Sequence, residues 1–393
     1  MAGIIQRIKK IFFEKAVPLI PGFYSYTAPP DGDFPYRLHL RIEQDGLGLL
    51  IINASTVLHL NQTATEFAYH LIQQTPRNEV LDSIIKRYQI NYQDASNDYD
   101  AFINRINTLI TTPDLDPVTY LDFDRQSPYS NIPTAPYRLD CALTYKLFDE
   151  TEGGLSPVDR VTRELSFQEW ESIIKKSWQA GIPHIIFTGG EPTIRPDLVE
   201  LLQVSEDLGQ VTGLLTNGLR LTDIKYLDQI LNAGLDHLLI LFDYKNEQSW
   251  EVLRDILPLD IHTTVHMTIT EDNQQEIMDN LPKLLEIGLE NISLSSNKIE
   301  ILDQSQIIRD KAAELGFNLV WDLPVPYSRF NPVTLETQSL PRLEEGAIKG
   351  WLYVEPDGDV LPTQSINKIL GNMVEDSWET IWDKAKQILN ELV

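Results

Sequence analysis

The segment Thr188-Gly-Gly-Glu-Pro192 places two glycines, a carboxylate and a proline directly after an apolar run that begins at His184. Gly189 and Gly190 permit a ligand to approach the backbone closely, and Glu191 can pair with a cationic group there. In α/β proteins, ligands bind beyond the carboxyl ends of the strands. The segment therefore predicts a binding site. The alternative is a strained turn that leads into the next helix, since glycine is a default turn residue.

His262 and His266 share one face of a predicted strand with Thr264 and Thr268. Positions four apart in an extended strand are separated by about 13 Å, so the two imidazoles cannot share one metal ion. We expect this polar face to line the interior if the strand belongs to a barrel, and to face solvent if it lies at a sheet edge. No metal site is predicted.

Cys141 is the single cysteine among the 393 residues. An intramolecular disulfide is therefore excluded, and a cysteine-ligated metal cluster nearly so. We interpret Cys141, in the middle of a predicted strand, as a small buried residue, because free cysteines are commonly buried.

Strand and helix patterns alternate from residue 138 to about residue 322. Six successive strand–helix units imply a parallel sheet with right-handed crossovers, either doubly wound or curled into a barrel. The strands are rich in Ile and Leu, as buried parallel strands are. The predicted strands are 139–144, 184–188, 211–215, 237–242, 263–269 and 292–295.

A smaller module precedes this region. Alternating strands over residues 36–60 are followed by helices predicted at 64–73, 79–88 and 99–110, and Asn61 or Thr63 can cap the first helix. A three-stranded meander with three helices is typical of a winged-helix-like module. A proline-rich linker over residues 113–137 then separates the two regions.

The first strand of this module presents the polar side chains Arg37, His39 and Arg41 between apolar neighbours. We expect its outer edge to be open, and an extended peptide can add to such an edge as another strand. The arginines would suit an amphipathic peptide that carries carboxylates.

Both ends of the chain have patterns of their own. Residues 1–15 have the pattern of a short amphipathic helix, which predicts packing on its own domain or, alternatively, contact with a membrane surface or a partner. Residues 351–361 predict a hairpin, and residues 378–389 predict a closing helix.

The chain holds 32 basic and 58 acidic residues, a net charge of −26. Such a charge repels phosphate backbones, so general nucleic-acid binding is not expected. A run of about eighteen apolar residues, as a spanning helix needs, is missing from the sequence, and charges interrupt the apolar start. Neither a signal peptide nor a spanning helix is therefore predicted. We expect a cytoplasmic protein that contacts membranes, if at all, only through residues 1–15.

Thr188-Gly-Gly-Glu-Pro192 resembles the motif with which radical S-adenosylmethionine (SAM) enzymes hold the methionyl amine of their cosubstrate. Leu215-Thr-Asn-Gly218, after the next strand, also matches that family. The resemblance covers about 138–322. It implies an α/β fold with a partial (β/α)6 barrel, preceded by a winged-helix-like α+β domain and followed by a hairpin–helix extension. The residues that the resemblance assigns to S-adenosylmethionine are Gly189, Gly190, Glu191, Pro192, Thr216 and Asn217.

The same family carries Cys-x-x-x-Cys-x-x-Cys after its first strand. Aligning Thr144-Tyr-Lys146 with the tripeptide that commonly precedes this motif puts Leu147, Thr151 and Gly154 at the ligand positions. Aligning the sole cysteine instead puts Cys141, Tyr145 and Phe148 there. We favour the first alignment, because the strand must end before the cluster loop begins. A four-iron cluster that cleaves SAM needs three thiolates, so a 4Fe-4S cluster is not expected in either alignment.

Residues outside the barrel resemble other parts of these enzymes. Residues 353–362 and 378–382 resemble the accessory region called SPASM or twitch, with Thr363 where a cysteine usually follows the proline. Val57-Leu-His-Leu-Asn61 resembles PqqD-like domains, which grip the leader peptides of ribosomally made, post-translationally modified peptides. The resemblance divides the chain into an amphipathic helix (1–20), a peptide-recognition domain (21–112), a linker (113–137), the barrel (138–325) and a degenerate SPASM-like region (326–393).

We therefore expect a cluster-free relative of peptide-maturing radical enzymes that binds a peptide or partner protein through its N-terminal domain. S-adenosylmethionine binding stays open. One alternative is an enzyme that uses the barrel for polar chemistry, with Glu191, Asp243, His266 or Asp322 as acid or base. The other is a structural subunit that binds no small molecule, because a fold does not determine function. No catalytic residue is assigned.

Overall fold

The structure is a computed structural model that describes residues 19–29, 36–53, 56–112, 133–147, 161, 163–297, 299–320, 346–364 and 366–391. The chain divides into two compact units, Met1–Ser127 and Pro128–Val393. Several predictions fall outside the described residues, namely the helix over 1–15 and the roles considered for Phe148, Thr151, Gly154 and Asp322.

The described part of the first unit is an antiparallel sheet with three helices. Its elements are β1 (Gly22–Thr27), β2 (Arg37–Ile42), β3 (Gly48–Ile52), β4 (Thr56–Leu60), α1 (Gln62–Ile72), α2 (Arg77–Tyr88) and α3 (Tyr92–Thr111). The strands are ordered β1-β2-β3-β4. Leu38 and Leu50 of the sheet, Phe67 of α1, Ile84 of α2 and Ile106 of α3 belong to one apolar core, which fixes the helices against one face of the sheet.

The prediction that the strand with Arg37, His39 and Arg41 has an open outer edge is wrong. β1, which the sequence patterns did not reveal, pairs with β2 along its whole length, with Thr27 opposite Arg37. His39 and Arg41 are only 1% and 3% exposed. Among the described strands, the edges of this sheet are therefore β1 and β4, and the meander has four strands rather than three.

The three helices of this unit begin earlier than predicted, and α2 starts at Arg77 rather than at residue 79. Asn61 Oδ1 accepts the backbone N–H of Ala64 at 3.0 Å, so Asn61 is the cap and α1 starts directly after it. Asn91 caps α3 in the same way, through the N–H of Asp94, and α3 starts at Tyr92 rather than at residue 99. Asparagine is strongly preferred at this position because its side chain satisfies an otherwise unpaired backbone donor.

The second unit is built on one large sheet. Its strands are β5 (Arg138–Thr144), β6 (His184–Gly189), β7 (Val211–Thr216), β8 (His237–Leu241), β9 (His262–Ile269), β10 (Asn291–Ser296), β11 (Asn318–Leu319), β12 (Trp351–Val354), β13 (Asp359–Leu361) and β14 (Gly371–Asn372). Its helices are α4 (Phe167–Gln179), α5 (Leu198–Leu208), α6 (Ile224–Asn232), α7 (Glu247–Ile256), α8 (Gln274–Glu286), α9 (Leu302–Leu315) and α10 (Trp378–Glu391).

The strand order is β11-β10-β9-β8-β7-β6-β5-β12-β13-β14. The six predicted strands, β5 to β10, all occur, and each lies parallel to the next one in sequence. This arrangement confirms the α/β fold class with a mostly parallel central sheet, and it brings the carboxyl ends of these strands to one edge.

The two faces of the sheet have different surroundings. Phe187, Leu214 and Ile240 point to the face that shares a large apolar core with the helices. The residues that alternate with them, Ile186 and Leu215 among others, form a separate small cluster. We call this second face the inner face.

The C-terminal region extends the sheet rather than forming a hairpin by itself. β12 lies parallel to β5, with Trp351 opposite Arg138, and β13 then pairs antiparallel with β12. The hairpin predicted over 351–361 is thus present, but one of its strands also borders the barrel strands. Across the described residues, no helix has both the length and the apolar character that crossing a bilayer requires.

Candidate functional site

The turn after β6 presses the backbone of Gly189 and Gly190 against the end of β5. Gly190 N–H donates to Thr144 O at 2.7 Å, and Glu191 N–H donates to Lys146 O at 2.8 Å. A Cβ atom on Gly189 would lie 2.1 Å from Thr144 O, and Gly189 has a φ of +127°. Both glycines are therefore required by the close contact between two backbone segments, and Gly189 also by its conformation.

The carboxylate of Glu191 is engaged entirely by donors of the chain itself. Its Oε1 accepts from the Thr193 N–H at 3.1 Å, the Thr193 hydroxyl at 2.6 Å and the Thr216 hydroxyl at 2.7 Å. Its Oε2 accepts from the Asn217 N–H at 2.8 Å. Glu191 is 1% exposed. The side chain thus joins the turn after β6 to the end of β7, and the cationic partner considered for it is not needed to satisfy the carboxylate.

Burial and hydrogen bonding act on Glu191 in opposite directions. Desolvation raises its pKa, while the hydrogen bonds from Thr193, Thr216 and Asn217 lower it, and the balance is a raised pKa. The buried carboxyl group of Glu191 accepts several hydrogen bonds and so holds Thr193, Thr216 and Asn217 in place at the carboxyl edge of the sheet.

Thr216 and Asn217 lie beside the glycine turn, because both donate hydrogen bonds to Glu191. Thr216 is fully buried, whereas Asn217 is half-buried. Asn217 Oδ1 accepts the N–H of Leu219 at 2.9 Å, which orients its amide group at the carboxyl edge. Asn217 is consequently the member of the assigned set whose side chain is most available to a ligand.

The start of the loop after β5 is braced by an ion pair and a hydroxyl. Thr144 Oγ1 donates to Glu164 at 2.5 Å, and Lys146 Nζ lies 3.0 Å from the same carboxylate. Leu147, which occupies the first ligand position in the favoured alignment, follows directly and has no metal-binding atom in its side chain. These contacts hold Thr144 and Lys146 to Glu164 by charge and hydrogen bonding.

The residues present do not fit an iron–sulfur cluster of the family type. Cys141 is fully buried within β5 and belongs to the apolar core shared with the helices. Burial raises the pKa of its thiol well above the ordinary value, which disfavours the thiolate that binds iron. Within the described residues, no group of three or more His, Cys, Asp or Glu side chains could hold a metal ion.

A buried polar group that sequence analysis missed lies at the same edge. Tyr145 OH donates to Glu355 Oε1 at 3.0 Å and lies 3.2 Å from Tyr353 OH. All three residues are 2% exposed or less. Tyr145 and Tyr353 pack with Ala142 and Leu361, so aromatic and aliphatic side chains fill the space beside the first residues of the loop. The pairing of β12 with β5 brings these residues together.

The polar residues of β9 separate into two environments. His266 is 3% exposed and points to the inner face, whereas His262 is exposed at the start of the strand. Desolvation lowers the pKa of His266 to about 4, so its imidazole is neutral at neutral pH. Asp243, a further acid–base candidate, is exposed and accepts the N–H of Lys245 as a turn residue.

Comparison with known proteins identifies the barrel region. The Radical SAM superfamily model matches residues 141–302. PqqA peptide cyclase of Bradyrhizobium diazoefficiens is 30% identical over 249 residues, which are 54% of this chain and 62% of that protein. The chain thus covers less than two thirds of this relative's length.

Solved structures share the fold over most of the chain. SuiB of Streptococcus suis bound to its precursor peptide SuiA matches with a TM-score of 0.58 and 14% identity, covering 87% of this chain and 86% of SuiB. SuiB bound to S-adenosylmethionine matches with a TM-score of 0.56 and 15% identity, covering 88% and 86%. The residues that the family model matches include the glycine turn and the parallel strands β6 to β10. The chain therefore carries a domain of the radical SAM superfamily over residues 141–302.

Proposed function

We propose that this protein is a cluster-free relative of peptide-maturing radical SAM enzymes, and that it binds a peptide or partner protein rather than generating radicals. The observation that carries the proposal is the single cysteine, Cys141, which is fully buried inside β5. A SAM-cleaving cluster needs three thiolates on one loop. We place the protein in the cytoplasm.

Peptide binding is supported by the relatives and by the N-terminal unit. SuiB binds the precursor peptide SuiA, and the curated relative is named for cyclising the peptide PqqA. Among the described strands, the four-stranded sheet ends in β1 and β4, and an extended peptide can add to either edge through main-chain hydrogen bonds. We therefore infer that residues 21–112 recognise the peptide.

Binding of a fluorescent peptide tests this proposal. The peptide would be a short precursor encoded beside the gene, and anisotropy would be measured with the full chain and with a chain that lacks residues 1–115. We expect binding to the full chain only. The two units have separate apolar cores, so circular dichroism should show that the truncated chain is folded. Equal affinity of both forms would remove the N-terminal unit from recognition.

S-adenosylmethionine binding at the carboxyl edge is a second part of the proposal. Glu191 is saturated by donors of the chain, so we infer that the ligand contacts the backbone of Gly189 and Gly190, next to Pro192 and Thr216, and the amide of Asn217. Without a cluster iron, the ligand's amino and carboxylate groups lose their metal contacts, and the affinity should be well below that of an intact enzyme.

Calorimetry with S-adenosylmethionine tests this second part. We expect Asn217→Ala to reduce the heat of binding and Asn232→Ala, on the exposed surface of α6, to leave it unchanged. Absence of heat with the wild-type chain would mean that the barrel does not retain the ligand.

A further inference from the structure

The imidazole of His266 lies between two serine hydroxyls on the inner face. β9 and β10 pair so that His266 is directly opposite Ser293. His266 Nδ1 is 3.1 Å from Ser293 Oγ, and His266 Nε2 is 3.1 Å from Ser295 Oγ. His266 and Ser293 are buried, at 3% and 8% exposure, while Ser295 is half-buried. His266 thus has one serine at each ring nitrogen, with Ser295 at Nε2 and Ser293 at Nδ1 as an orienting partner.

The tautomer with the proton on Nδ1 suits this geometry. In it the Nδ1–H donates to Ser293 Oγ, and Nε2 accepts from the Ser295 hydroxyl. Thr268 Oγ1 lies 3.4 Å from the same Nε2 and can rotate its proton away. A nucleophile, a base within hydrogen-bond reach and a third group that orients the base are the recognisable parts of covalent catalysis.

Two further observations suggest that a ligand binds at this position. Ser295 is next to the last residue of β10, at the carboxyl edge where barrel proteins bind their substrates. Asn297, which follows two residues later, has its Oδ1 buried and without a hydrogen-bond partner among the described residues. A buried acceptor without a partner calls for a water or a ligand donor.

We propose that Ser295 is a nucleophile for acyl transfer from an ester or amide, with His266 as its general base, Ser293 as a positioning residue and Asn297 Oδ1 as the acceptor for an N–H or O–H group of the substrate. This inference goes beyond the proposed peptide binding. It requires neither a bound peptide nor S-adenosylmethionine, so the two proposals fail independently.

The step balances with water as the second reactant. Ser295 Oγ forms a bond to the carbonyl carbon, and its proton passes to His266 Nε2. The bond from that carbon to the leaving oxygen or nitrogen then breaks, and His266 returns the proton to the leaving group. Water attacks the acyl-Ser295 ester in the same way and releases the acid, with no change of oxidation state.

A fluorophosphonate probe tests the nucleophile directly. Its phosphorus forms a bond to Ser295 Oγ, fluoride leaves, and His266 takes the proton. We expect labelling of the full chain, with the adduct located on Ser295 by peptide mass spectrometry. Ser295→Ala should abolish this adduct, and His266→Gln should slow labelling about 100-fold, the usual contribution of a general base.

Ser296→Ala is the matched control, because Ser296 is the adjacent, half-buried serine. It should label at the wild-type rate. Ser293→Ala should slow labelling and Ser293→Thr should restore it, which a loss of packing alone would not do. Melting curves of each variant would identify any that fail to fold. A wild-type chain that reacts no faster than Ser295→Ala, or that is labelled at another residue, would overturn the proposal.

Discussion

Thr216 Oγ1 donates a 2.7 Å hydrogen bond to Glu191 Oε1, and this bond ties the turn after β6 to the end of β7. The bond is one of four that Glu191 accepts within a fully buried environment. The motif residue that the family resemblance assigned to a ligand thus also holds two strands in place.

Replacing Glu191 should destabilise the fold. Glu191→Ala leaves buried donors of Thr193, Thr216 and Asn217 without an acceptor, which should cost about 3 kcal/mol, whereas Thr216→Val should cost about 1 kcal/mol. Urea unfolding would measure both. Glu251→Ala, at an exposed position of α7, should stay within about 0.5 kcal/mol of the wild type. A Glu191→Ala variant as stable as this control would show that the hydrogen bonds contribute nothing.

Two glycine substitutions separate steric clash from backbone strain. Gly288 has a φ of +90° with open space around its Cβ position, while a Cβ on Gly189 would meet Thr144 O at 2.1 Å. Gly288→Ala should therefore cost about 1 kcal/mol, and Gly189→Ala should cost about 3 kcal/mol or more, because the backbone must also move. Thermal unfolding of the pair checks the difference. Equal melting temperatures would contradict the close contact.

Anaerobic reconstitution with iron and sulfide should leave the protein colourless. The reason is that one buried thiol cannot replace three ligands. Iron content and the absorbance at about 400 nm would be measured beside an intact radical SAM enzyme as the positive control. Stoichiometric iron in the chain would contradict the proposed absence of the cluster.

Acid should destabilise the protein in a manner that depends on His266. Its pKa is lowered from 6.5 to about 4 by burial, so the unfolded chain binds this proton more readily than the folded one. The stability that results is complete above pH 6.5 and is lost as the pH falls toward 4, by about 3 kcal/mol at most. Urea midpoints from pH 7 to pH 4 would show a shallower decline in His266→Gln, and Ser296→Ala should keep the wild-type slope. Parallel profiles for His266→Gln and the wild type would refute the assignment.

Local sequence patterns were sufficient to predict the parallel strands, because runs of Ile and Leu bounded by glycine turns are typical of strands that are buried on both faces. β1 was missed although its residues, Gly22–Thr27, include four aromatic or β-branched side chains with high strand propensity. Its position beside β2 overturned the edge prediction for Arg41. Neighbouring strands, not the local sequence, decide whether such a strand is an edge.

Contacts between distant segments could not be predicted. Tyr145 and Glu355 are 210 positions apart, and only the pairing of β12 with β5 brings them together. The contacts of Ser293 and Ser295 with His266 likewise depend on the register between β9 and β10. The alternation of residues within one strand does not specify that register.

The pairing of β12 with β5 also has a consequence for synthesis of the chain. Trp351–Val354 lies against Arg138–Cys141, so one side of β5 stays an open strand edge until the ribosome has made most of the chain. Such an edge is a site for incorrect pairing, and contacts over this sequence separation form slowly. Nascent chains that stop before residue 351 should therefore depend on chaperones.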